Sequence, residues 1–130
     1  MNPHLEQAAE LLAAAHRDRT TFRILRRDEE SPLEVMLFHA QQALEKSIKA
    51  VLVCHGVIFR RTHDLLELAG LADTSGIALP LARDLLLRLG PYAVEFRYLG
   101  VNAPDVSVVE AEAAIESAVM WVESQIRNQA

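Results

Sequence analysis

The sequence predicts an all-α protein, an up-down antiparallel bundle of four helices with one additional short helix. Three observations carry that expectation. Apolar residues recur at spacings of three and four over almost the whole chain. Two capping signatures, Ser31-Pro32-Leu33-Glu34 and Ser107-Val108-Val109-Glu110, each open a long apolar-periodic stretch. Strand signals are weak, and the one β-rich stretch, residues 51–53, lies inside a longer helical pattern. The 130 residues suit a single domain over positions 1–130 and are enough to bury a core. The chain has no internal repeat, low-complexity tract or linker.

The first helix follows from Leu5, Ala8, Leu12 and Ala15, whose stripe Phe22 continues. It covers residues 3–19, with an extension to residue 26 left open. In the second, Ser31 is expected to cap, Pro32 to take the first helical position and Glu34 to complete the capping box. This helix should end near His55, with Gly56 free to adopt the left-handed conformation. It is then about 36 Å long.

Thr62 is the expected cap of a short third helix over residues 63–71, followed by a polar loop over 73–76. From Ala82 through Leu85, Leu89 and Tyr92 to Phe96 the apolar phase does not slip at Gly90-Pro91. That predicts one kinked fourth helix, with two separate helices as the alternative. The last helix starts at the Ser107 cap and carries its stripe through Val108, Ala111, Ile115, Val119 and Val122 to Ile126.

A net charge of −5 argues against nucleic-acid binding through the whole surface, which rests on basic residues neutralising phosphates. A local basic site stays open. Arg17, Arg19, Arg23, Arg26 and Arg27 cluster, but Asp28, Glu29 and Glu30 follow at once, as expected of a helix with a basic C-terminal end. The single Cys54 excludes an internal disulfide, suits a reducing compartment and, inside the apolar run 51–54, reads as a buried thiol. No apolar run approaches the ~20 residues of a membrane span, and residues 1–10 show no basic segment of a secretory signal. A cytoplasmic protein without a membrane contact is expected.

The second helix carries the main polar feature. His39, Gln42, Glu45, Lys46 and Lys49 fall within an arc of about 120° at 100° per residue. Glu45 and Lys49 stand at i,i+4 in the favourable order, worth a few tenths of a kcal/mol. Two readings are open: a solvated face with one supporting ion pair, or a polar groove presenting Lys46 and Lys49 to an anion. Asp64 reads as a carboxylate favoured in the first helical turn, and His63 either as a helper of the cap or, with Arg60 and Arg61 beside it, as a group for proton transfer or phosphate binding. Arg97 with Tyr98 reads as dipole compensation or as a forked phosphate clamp.

Other chemistries lack their residues. No Glu has a His three positions on, and there is no His-Glu-x-x-His and no Cys pair, so no metal is expected. The glycines form neither a phosphate-binding loop nor a dinucleotide fingerprint, and no Ser sits in a nucleophile-elbow context. No cofactor is expected. If the chain is an enzyme, the available chemistry is metal-free acid–base work by His63 and Arg97.

Taken in order, Phe38-His39-Ala40-Gln41-Gln42-Ala43, Glu45-Lys46, Lys49-Ala50, His63-Asp64-Leu65 and Arg97-Tyr98 resemble the prokaryotic HEPN domain family over nearly the whole chain. The resemblance implies a compact HEPN-like bundle that usually forms a homodimer. It also implies nucleotide or RNA binding, and a frequent pairing with a minimal nucleotidyltransferase, in some cases as a toxin–antitoxin system. The sequence assigns no dimer face; exposed apolar residues such as Trp121 are candidates to mark one.

Many members are metal-independent ribonucleases with an Arg followed, after four to six residues, by His. Here no Arg has a His at that distance; after Arg97 those positions hold Asn102, Ala103 and Pro104. Asn cannot exchange a proton near neutral pH, and the His-x-Tyr extension of the toxin subgroup is also missing. The resulting expectation is a non-catalytic module. Gln42, Glu45, Lys46, Lys49, His63, Asp64, Arg97 and Tyr98 are its candidate ligand-binding residues. The alternatives are a ribonuclease using His63 and Arg97, and a dimeric bundle without a ligand.

Overall fold

Asn2 opens the first helix: its side-chain oxygen accepts the His4 N–H at 2.7 Å, and Pro3 follows at a position that needs no donor. The computed structural model describes residues 2–93 and 105–130. In it α1 runs over Pro3–Arg26, the longer of the two expected extents. Its inner face buries Leu5, Ala8, Ala15 and Phe22, and also Asp18.

α2 (Leu33–Cys54) starts one residue later than expected. Pro32, not Ser31, is the N-cap: its ψ of 128° is extended, and its carbonyl already accepts the N–H groups of Val35 (3.2 Å) and Met36 (3.3 Å). With Pro32 outside the helix, Ser31 stands too far back to reach an orphan donor, and no side-chain cap forms. The other end is as expected. Gly56 takes φ +71°, the Val57 N–H reaches the Leu52 carbonyl and the Gly56 N–H the Val53 carbonyl, each at 2.9 Å.

α3 (Leu65–Thr74) is shifted relative to the expectation for residues 63–71. Asp64 is its cap, accepting from the Leu66 and Glu67 N–H groups at 3.0 and 3.2 Å. Thr62 serves the turn before it by accepting the Asp64 N–H at 3.1 Å. The helix takes the first half of the expected polar loop, ends at Thr74 with Ser75 as its C-cap, and is followed by Gly76 at φ +76°. α4 (Arg83–Leu89) passes directly into a 3-10 turn over Gly90–Ala93. Pro91 has no N–H to continue the α ladder, so the chain tightens there. Phe96 lies outside the described residues. α5 (Val108–Gln129) begins at Ser107, whose hydroxyl accepts the Glu110 N–H at 3.0 Å.

The long helices define the frame. Arg26 pairs with Glu112, and His16 approaches Glu123, so α1 and α5 are antiparallel. Leu5 and Ala8 pack with Val53 and Cys54, so α1 and α2 are antiparallel too. α2 and α5 therefore run parallel: Met36 and Val108 meet at one end, and Cys54 Sγ donates to the Gln125 carbonyl (3.6 Å) near the other. Among the described residues the third position is held by the short α3 and α4, not by one long helix. One apolar core is fed by every helix, with Phe22, Leu44, Leu68, Leu86 and Ile115 fully enclosed. Emptying any such site costs about 2–5 kcal/mol.

Cys54 is buried, and burial raises its thiol pKa. Trp121, expected to be exposed, is half-buried against the core, while Val109 and Met120 are the large exposed apolar residues of α5. Among the described residues no helix is long and apolar enough to cross a membrane. At one pole, Asn2 and Leu5 of the N-terminal end share a cavity of about 410 Å³ with Ile126 and Ala130.

Candidate functional site

The polar face of α2 is not a solvated face. Gln41 is fully buried and Glu45 is 3% exposed, because α1 and the loop between α2 and α3 close over them. Two carboxylates organise the seam. Glu45 takes Lys49 Nζ on Oε2 at 2.9 Å, the i,i+4 pair expected from the sequence. It also lies 3.0 and 3.1 Å from His63 Nδ1 and accepts from Gln41 Nε2 at 3.3 Å. Gln42 donates to the Gln41 side-chain oxygen (2.7 Å), and Gln41 donates to the His63 carbonyl (3.1 Å). Gln41 thereby ties the loop backbone to α2.

The second carboxylate is Asp18 of α1. It accepts from Lys46 Nζ at 2.6 Å and lies 3.0 Å from His39 Nδ1. Each carboxylate thus bridges one lysine and one imidazole.

Of the expected site residues, Gln42, Glu45, Lys49 and His63 come together around one carboxylate. Lys46 points to the other. Asp64 spends its carboxylate on the α3 cap. Arg97 and Tyr98 lie outside the described residues. Asp18 and Gln41 were not among the expected site residues, although a signal existed. Asp18 stands in helical phase with Ala15 and Phe22, and Gln41 with Leu37 and Leu44, so both are polar residues inside apolar stripes. A charge in a core stripe is seldom tolerated unless it is paired.

The electrostatics follow from this pairing. The two lysines are matched one-to-one with the two carboxylates, so with neutral imidazoles the seam has no net charge. Removing Lys49 would leave Glu45 facing only His63 and Gln41 in a site that water barely reaches, an exchange costing about 3 kcal/mol or more.

His63 is the outward member, with its side chain 55% exposed. An ionised Glu45 needs a donor at Nδ1, which turns the Nε2 edge of the ring away from Glu45. An imidazole oriented by a buried carboxylate can take up or release a proton at that free edge. Among the described residues no group of His, Cys, Asp and Glu could hold a metal ion.

The flanking arginines separate. Arg60 chelates Glu67 through three bonds of 2.6–3.1 Å, which keeps its guanidinium more firmly protonated than usual. Arg61 is exposed and has no carboxylate partner among the described residues. On the other side of the loop a cavity of about 380 Å³ is lined by His4, Gln7, Val53, Val57 and Phe59. Its Phe59 ring lies 6.0 Å from Lys49 Nζ, so cavity and seam share a wall.

Away from the seam, Arg88 binds Glu110 at 2.6 and 2.8 Å, Asp84 at 2.9 Å and the Asp105 carbonyl at 2.9 Å. The Arg88 guanidinium, aided by the Ser107 backbone N–H, holds the Glu110 carboxyl below its usual range.

Comparison with known proteins places this arrangement. No curated protein and no solved structure matches the chain. A family model described as HEPN domain matches residues 4–128, a span that contains both carboxylate clusters and all five α-helices but for their outermost residues. The chain belongs to the HEPN domain family.

Proposed function

We propose that the protein is a non-catalytic HEPN module of the cytoplasm. It acts as a homodimer that binds a nucleotide or RNA phosphate, a minimal nucleotidyltransferase partner, or both, as one component of a two-component system of the toxin–antitoxin kind. The observation that supports this reading is the convergence of the family-matching side chains Gln42, Glu45, Lys49 and His63 on one half-open seam, with Lys46 one turn away. Arg97 and Tyr98 are part of the same proposed surface. The non-catalytic part rests on the missing Arg-x4–6-His spacing.

The test is calorimetric titration of the wild type and of Lys46→Ala/Arg97→Ala with ATP, GTP and a short single-stranded RNA, together with co-purification of a co-expressed nucleotidyltransferase. Weaker ligand or partner binding by the double variant is the expected result. Unchanged affinity for all of them would refute the site.

One observation favours a second reading. The His63–Glu45 pair has the form of a base held by its orienting carboxylate. A ribonuclease built on it would cut RNA in the presence of a chelator and lose that activity in His63→Ala.

A further inference from the structure

Resting on the phosphate-binding reading above, we infer that the phosphate is gripped by Arg61 and the free edge of His63, on the loop between α2 and α3. Lys46 ties α2 to α1 through Asp18, Lys49 is spent on Glu45 within α2, and both act on the ligand only through their field.

The argument begins with which cations are available. Lys46 lies 2.6 Å from Asp18, Lys49 2.9 Å from Glu45, and Arg60 is chelated by Glu67. A phosphate that took either lysine would have to displace a carboxylate whose side chain is only 10% (Asp18) or 5% (Glu45) exposed. Neither carboxylate can turn to water for compensation, so this exchange replaces one buried pair with an orphaned charge. Arg61 needs no such exchange. It is exposed, without a carboxylate partner among the described residues, and two positions from His63.

The loop that carries Arg61 is fixed. The His63 carbonyl accepts from Gln41, the His63 ring is held by Glu45, and Thr62 is buried with its hydroxyl on the Asp64 N–H. The guanidinium therefore springs from an anchored backbone beside an oriented imidazole. A guanidinium fork matches two phosphate oxygens, and the imidazole, in the form protonated at both nitrogens, donates a third contact from Nε2 while Nδ1 stays on Glu45. The ligand chemistry is an accessible phosphoryl group, which either a free nucleotide or the 5′ end of an RNA can present.

The experiment is titration at fixed ionic strength with ATP, with an RNA octamer bearing a 5′-phosphate, and with the same octamer bearing a 5′-hydroxyl. Arg61→Ala should weaken binding of the phosphorylated ligands by about tenfold or more, at an unchanged melting temperature because Arg61 is exposed and has no ion pair among the described residues. Arg60→Ala changes the net charge equally and should stay within about twofold of wild type, since its guanidinium is already spent on Glu67. Arg61→Lys should recover only part of the affinity, because an ammonium lacks the fork. Tight binding of ATP alone assigns the site to nucleotides, and tight binding of the 5′-phosphorylated octamer assigns it to RNA ends.

Wild-type affinity in Arg61→Ala, or equal losses in Arg60→Ala and Arg61→Ala, would overturn the inference while leaving phosphate binding itself intact. A wild type that binds none of the three ligands would overturn the phosphate-binding reading as well.

Discussion

Two seams of this bundle are laced with ion pairs, and they are built differently. Between α1 and α2, Asp18 and Glu45 are enclosed, and each is shared by a lysine and an imidazole. Between α1 and α5, Arg23, 48% exposed, reaches Glu116 and Arg26 reaches Glu112 at the rim, while Arg19 meets Glu116 from the inner side, 22% exposed and with its Nε buried. The second seam has more formal charges than the first, and they are the ones a composition count finds most easily. Water decides their weight. A rim pair exchanges one well-hydrated state for another and contributes about 0–1 kcal/mol. An enclosed carboxylate has no hydrated alternative, so the structure around it depends on its partners.

The largest expected effect breaks the enclosed seam. Lys49→Met should destabilise by about 3 kcal/mol, read by urea denaturation, and lower the melting temperature by roughly 10 °C. Next comes Asp18→Asn. Lys46 is partly exposed and can turn to water, so the loss should be about 1–2 kcal/mol. Arg23→Met in the rim seam should cost less than about 1 kcal/mol. If it matches Lys49→Met, burial is not what separates the two seams.

Salt sharpens the same contrast. Raising it to about 0.5 M, where the screening length falls to a few ångströms, should erase the deficit of Arg23→Met and leave that of Lys49→Met.

The smallest effect concerns pH. The Glu110 carboxyl titrates lower in the folded protein than in the unfolded chain, because Arg88 binds its charged form. The stability it contributes is therefore present above the unfolded pKa and lost as pH falls through the folded one. Melting curves of wild type and Glu110→Gln should differ at pH 6 and converge only once the pH has fallen below the lowered folded-state value of Glu110.

How much could be read from the sequence depended on how local the chemistry was. Ser107 with Glu110 and the Gly56 stop were legible because each is settled within one turn. Ser31 and Thr62 were misassigned because capping residues stood close together, Ser31 beside Pro32 and Thr62 beside Asp64. The choice turns on whether Pro32 is inside the helix and on which oxygen meets the Leu66 N–H, neither of which periodicity encodes. The face of α2 was found, but its character was not. Whether Glu45 meets water or His63 depends on a loop 18 residues away, and whether Lys46 is free depends on Asp18, 28 residues earlier. The two arginines of the loop are adjacent in sequence and are made unlike by Glu67, seven residues beyond Arg60.

Asn2 and Ala130 share the walls of one cavity, so the polypeptide leaves the bundle where it enters. A circularly permuted version, with these positions joined through a short linker and new ends opened between α3 and α4, keeps every packed helix whole. For the same reason a tag or a fused domain attached at either position emerges from a single pole. A probe placed there reports on the α2–α3 loop only from the side of His4 and Gln7, where the smaller cavity begins.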